Sequence, residues 1–217
     1  MGIRDQLRSS IKKDGPRRKH GIWHSKAYHR FFEGYSEIAV PKPNGKGYSI
    51  QRIYTGNYYR QHLTGGQRTL LRVLYGALFL SAAYLFISAA GMPLASNSTW
   101  YVTLPQAASL PFLFWIIIAF VSYLPAGWEL TIHEYRSSSL ALKKATLGSA
   151  ISLGITVCAV ILFLIINPSS SLALELTRAA KYLAAGIFAF VMNWVERRVE
   201  YCVTPSHNLP PEDSVIN

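Results

Sequence analysis

Two long stretches of the chain carry no charge: residues 73–128 and residues 145–174 contain no Asp, Glu, Lys or Arg. A soluble core helix rarely avoids charge for so long, whereas a bilayer span needs about 20 consecutive apolar residues. The pattern divides into four apolar segments, at about 70–94, 104–124, 145–166 and 172–195. "GMPLASNSTWYVTLPQ" separates the first pair, with Gly, Pro and Asn for a turn and Trp100 and Tyr101 suited to a membrane interface. "INPSSS" separates the second pair and is barely longer than a tight turn, so the third and fourth segments are expected to be antiparallel neighbours. The middle connection, "PAGWELTIHEYRSSSLALKK", is polar.

Basic residues give these segments an orientation. Residues 1–69 hold fourteen Lys or Arg, the middle connection holds Arg136, Lys143 and Lys144, and Arg197 and Arg198 follow the last segment. The two hairpin loops hold none. Because Lys and Arg concentrate in cytoplasmic loops, both termini are expected inside. The fold expected is an all-α integral membrane protein of four transmembrane helices over residues 70–200, in the plasma (cytoplasmic) membrane. A basic region of mixed structure precedes it at 1–69, and a cytoplasmic tail follows at 201–217.

Within the N-terminal region, "GIWHSKAYHRFFEG" sets Trp23, Ala27 and Phe31 four residues apart, with Tyr28 and Phe32 beside them. Lys26, Arg30 and Glu33 fall largely on other faces, and Gly34 can end the helix. The spacing predicts a short amphipathic helix on the membrane surface, with Trp23, Lys26, Tyr28, Arg30, Phe31 and Phe32 touching lipid. A helix packed on its own domain fits the same spacing. Next come two β-prone stretches around Asn44-Gly45, a favoured hairpin turn, with Pro41 and Pro43 confining the first to an edge. The first residues lack the apolar stretch of a secretory signal, and Gln6 stands where a myristoylation motif needs Ser or Thr.

Composition agrees. Half of the 217 residues are hydrophobic and 15% charged, too few charges to cover that much apolar surface in water. The net charge is +11, and residues 1–30 carry nine Lys or Arg against Asp5 and Asp14, which would suggest nucleic acid for a soluble tail. Beside a bilayer the nearer polyanion is the inner leaflet, so anionic lipid headgroups are the expected partner and nucleic acid is not. Cys158 and Cys202 form no disulfide or metal spacing. His20, His24 and His29 lack a recognisable further ligand, so no metal or cofactor is implied. His133 with Glu129 and Glu134 could do acid–base work on a lipid, but such residues more often solvate a helix end.

The charges Glu175, Arg178 and Lys181 lie early in the fourth segment and are the candidate intramembrane polar site. At steps of three they drift round the helix yet stay on one broad face. Facing a bundle or aqueous cavity, they would suit an anion. The preferred expectation is that the buried helix starts late, with Arg178 and Lys181 reaching outward to the interface. Gly148, Ser152 and Thr156, with Gly154 on an adjoining strip, suit close helix packing. No nucleophile elbow, zinc motif, phosphate loop or dinucleotide fingerprint occurs. The expected role is therefore non-enzymatic: an accessory or scaffold subunit that binds other membrane subunits or itself. A small oligomeric transporter or channel subunit with an anion path near Arg178 and Lys181 is the alternative.

Overall fold

The computed structural model describes residues 32–41, 48–168 and 172–206. Of the expected surface-contact residues, Trp23, Lys26, Tyr28, Arg30 and Phe31 lie outside the described residues, as do His20, His24 and His29. The chain is mostly helical. Strands β1 (Tyr35–Pro41) and β2 (Tyr48–Tyr54) pair antiparallel, from Tyr35 opposite Tyr54 to Pro41 opposite Tyr48. The turn expected at Asn44-Gly45 lies outside the described residues. Gly34, at φ +84°, occupies the left-handed region before β1, and a Cβ there would also sit 2.8 Å from the Tyr54 ring.

Strand β3 (Tyr58–Gln61) leads into helix α1 (Gly65–Ala90), which starts five residues earlier than the apolar run. A capping box explains the early start. The Thr64 hydroxyl accepts from the Gln67 N–H at 3.4 Å, and the Gln67 side chain accepts from the Thr64 N–H at 2.9 Å. The helix stops at Gly91, ahead of Pro93. A 3-10 turn over Ala95–Ser98 connects to helix α2 (Trp100–Tyr123), which carries Pro105 and Pro111 inside it. The expected loop is thus shorter than its turn-like composition implies: Trp100 to Leu104 are already helical.

After α2 come the two-residue strand β4 (Glu129–Leu130) and a helical turn, Ile132–Tyr135, opened by a second capping box between Thr131 and Glu134. A π-helical stretch over Arg136–Leu140 then runs without a break into helix α3 (Ala141–Ile166). Helix α4 (Leu172–Arg198) and strand β5 (Tyr201–Thr204) complete the chain. Strands β4 and β5 flank β3 antiparallel, forming a three-stranded sheet that sequence periodicity does not suggest.

Among the described residues, three helices are long and apolar enough to cross a membrane: α1, α2 and the continuous Ile132–Ile166 that contains α3. Their outward faces carry large exposed apolar side chains, including Leu80, Tyr84, Ile118 and Ile155. Helix α4 lies against both α3 and α1, and α3 also packs along α2. A Cβ on Gly148 would meet the Phe112 ring of α2 at 2.4 Å, and one on Gly186 would meet Leu153 at 3.5 Å. These glycines set how closely α3 approaches its neighbours. Gly154 does not, since a Cβ there would meet nothing within 4 Å. Ser152 and Thr156 are buried, but each hydroxyl bonds back to its own helix, to the Ser149 and Ser152 carbonyls.

Candidate functional site

Helix α4 buries one narrow stripe: Glu175, Arg178, Ala179, Tyr182, Ala185, Ala189, Met192, Asn193 and Glu196. Positions 175, 182, 189 and 196 recur every seven residues, the period of a helix packed along neighbours on a single seam. The opposite faces expose Leu172, Leu176, Leu183, Ile187 and Phe190. Charged side chains therefore occur on the inward stripe, one group near each end.

At the hairpin-loop end, Glu175 and Arg178 are both 0% exposed. The Ser96 hydroxyl, from the 3-10 turn between α1 and α2, donates to Glu175 Oε2 at 2.6 Å, and the Ser96 N–H donates to Oε1 at 3.3 Å. Arg178 Nη1 donates to the same Ser96 hydroxyl at 2.5 Å, and its Nη2 donates to Gln106 Oε1 of α2 at 2.6 Å. The guanidinium carbon lies 5.5 Å from the Tyr182 ring centre. Lys181 Nζ donates to Ser88 Oγ of α1 at 2.6 Å. The sequence expectation that Arg178 and Lys181 reach outward differs from this arrangement. Arg178 turns into the bundle, where the Ser96 hydroxyl that Glu175 also holds and the Gln106 amide oxygen meet it. Arg178 Nε and the Tyr182 hydroxyl have no hydrogen-bond partner among the described residues.

The second group, at the sheet end, escapes any local sequence signal. Glu196 is 0% exposed. Tyr75 of α1 donates to its Oε2 at 2.7 Å, and Tyr201 of β5 donates to its Oε1 at 2.9 Å. Ser139, from the π-helical stretch, donates to Oε1 as well. Gln61 Nε2 of β3 extends the network, donating to Tyr201 at 2.8 Å and to Tyr123 at the end of α2 at 3.2 Å. One carboxylate thus joins α1, the π stretch and β5 directly, with β3 one bond further on and α2 two. Burial, and then the Glu196 carboxylate, hold the Tyr201 phenol well above its usual range. Lys143 Nζ lies 5.4 Å from the centre of the Tyr201 ring.

Between the groups the stripe is apolar apart from the Tyr182 hydroxyl. From Tyr182 to Met192, about 15 Å of helix at 1.5 Å per residue, its buried members are Tyr182, Ala185, Ala189 and Met192. Tyr182, Ala185 and Met192 share one apolar core with Ala82, Phe86, Leu153 and Val157.

Other candidates resolve into structural roles. The Glu134 carboxylate accepts from the Thr131 N–H at 2.8 Å, so it caps a helix. Arg68 donates to the carbonyls of Ala126 and Gly127, and Arg72 donates to the Ala126 carbonyl at 3.0 Å, anchoring the chain after α2. Among the described residues, no group of three or more His, Cys, Asp or Glu could hold a metal ion. Comparison with known protein families, with curated proteins and with solved structures finds no match.

Proposed function

We propose that the chain is a four-span membrane protein that acts by binding, as an accessory or scaffold subunit of a membrane complex. The observation that carries this reading is the apolar interval from Tyr182 to Met192, which separates the two polar groups of α4. A transport path through the bundle would need polar side chains or water along its length, because an ion in a low-dielectric interior carries a large desolvation penalty. Here the inward charges instead bind neighbouring elements, Glu175 and Arg178 to the α1–α2 loop and Glu196 to the sheet end. That use supports a rigid body that presents surfaces. It disfavours an anion path near Arg178 and Lys181.

In this reading α4 is the fourth span, tolerating its charges because they face protein and not lipid. The distribution of cations supports cytoplasmic termini. Among the described residues, Arg52, Arg60, Arg68, Arg72, Arg136, Lys143, Lys144, Arg197 and Arg198 belong to the strands, the connections at the sheet end or the helix ends that adjoin them. Only Arg178 and Lys181 lie toward the hairpin loops, and both are turned onto protein groups.

The test is purification of the tagged full chain from its own membranes in mild detergent, after crosslinking, alongside anion flux in liposomes. A defined assembly with other membrane subunits or with itself, and no flux, is the expected result. A monomer that conducts a small anion would overturn the proposal.

A further inference from the structure

A cavity of about 490 Å³ opens beside the three-stranded sheet, where β3 passes into α1. Its volume lies within the range of small-molecule and headgroup sites. Arg60 and His62 contribute cationic or protonatable side chains, both exposed, and Trp128 contributes an aromatic wall. Cys202 of β5 also lines it. Gln61 also borders it, but its amide is turned into the buried network with Tyr123 and Tyr201. Glu129 stands opposite Arg60 in the β3–β4 register but is not among the residues lining the cavity.

The surroundings point to a ligand with one charged and one apolar end. Leu70 and Val73 of α1, 68% and 65% exposed, begin an apolar outer surface about 8–12 Å of helix beyond Gly65. Trp128 is half exposed, with the Arg68 guanidinium 5.5 Å from its ring centre, an arrangement suited to the headgroup level of a bilayer. Basic pockets at the cytoplasmic ends of spans recognise anionic headgroups.

We propose that this cavity holds the phosphodiester headgroup of an anionic phospholipid, with the acyl chains lying along α1 past Leu70 and Val73. Arg60 and His62 face the phosphate, and Trp128 flanks the glycerol region. The inference rests on the membrane reading above. It concerns residues other than those of the N-terminal segment expected to touch lipid.

Cys202 supplies the probe. The full chain carrying Cys158→Ala is placed in nanodiscs of phosphatidylcholine, with or without phosphatidylglycerol, and the rate of Cys202 alkylation by a neutral maleimide is measured. Phosphatidylglycerol should slow the reaction. Arg60→Gln and His62→Gln should each raise the phosphatidylglycerol fraction needed for half-protection, by about fivefold for Arg60, the equivalent of about 1 kcal/mol per basic residue near an anionic surface. Inorganic phosphate in phosphatidylcholine discs should not protect; if it protects as well as the lipid does, the ligand is a soluble phosphate and the lipid proposal fails. Equal slowing in parent and variants would also overturn it, since surface charge alone would then account for the effect, as would no slowing at all. A chain that does not enter nanodiscs fails the membrane reading itself, whereas one that enters without protection fails only the cavity.

Discussion

Glu175 and Glu196 lie on one buried stripe of α4, three heptads apart, and each ties a different end of the bundle together. Glu175 holds the α1–α2 loop through Ser96, while Glu196 holds α1, the π-helical stretch and β5 through three hydroxyls. Over about 31 Å of helix the same face changes from polar to apolar and back.

Removing one partner of the Glu175–Ser96–Arg178 group leaves a buried charge without compensation. Glu175→Gln should destabilise the detergent-solubilised chain by about 3 kcal/mol, because an uncompensated buried ion is expensive. Adding Arg178→Met should recover part of that loss, so the double variant should be less destabilised than the sum of the single changes. Unfolding in a denaturing detergent titration measures both. Additive losses would mean that the two side chains are not coupled.

At the other end, Tyr201→Phe removes one hydroxyl donor from Glu196 and should cost about 1 kcal/mol near neutral pH. The same variant should change the alkaline response. A phenol whose pKa is raised on folding, as Tyr201's is by burial, contributes stability that is complete below its ordinary value of 10.0 and is lost as pH rises through the folded value. The Tm of the parent should therefore fall more steeply above pH 10 than that of Tyr201→Phe. Parallel slopes would place Tyr201 outside the buried network.

Two glycines of α3 should answer differently to the same change. Gly148→Ala puts a methyl group against the Phe112 ring, 2.4 Å from the nearest atom, and should cost about 1–3 kcal/mol through overpacking. Gly154→Ala meets open space and should fall within about 1 kcal/mol of the parent, helix propensity favouring alanine. Thermal unfolding of the two variants side by side checks the contrast.

The membrane architecture was legible because a charge-free run is a local property that residues 73–128 and 145–174 display directly. Helix starts were legible in part. The Thr64–Gln67 and Thr131–Glu134 boxes are readable spacings, yet both precede their apolar runs, so hydrophobicity alone starts α1 and α3 too late. Glu175, Arg178 and Lys181 stood out as charges beside an apolar run, but their direction did not. It depends on Ser96 and Gln106, some 70 to 80 residues away in sequence. Glu196 had no signal at all, because a carboxylate beside Arg197 and Arg198 resembles an ordinary helix end. Its partners Tyr75, Ser139 and Tyr201 come together only when α1, the π stretch and β5 meet.

The central claim, that α4's charges hold the bundle while its middle stays dry, is tested most directly by cysteine accessibility in oriented membranes. In a Cys158→Ala, Cys202→Ala background, Ala185→Cys and Ala189→Cys place single thiols in the apolar interval, where Ala185 and Ala189 are 0% and 1% exposed. Ser98→Cys, on the exposed side of the 3-10 turn, and Val203→Cys, in β5 and 54% exposed, serve as controls for the two ends. With a small water-soluble, membrane-impermeant thiol reagent, position 98 should react only from the outer side and position 203 only from the inner side. Positions 185 and 189 should react from neither. Labelling of 185 or 189 would reveal water along α4 and contradict the account, restoring the anion path past Arg178 and Lys181.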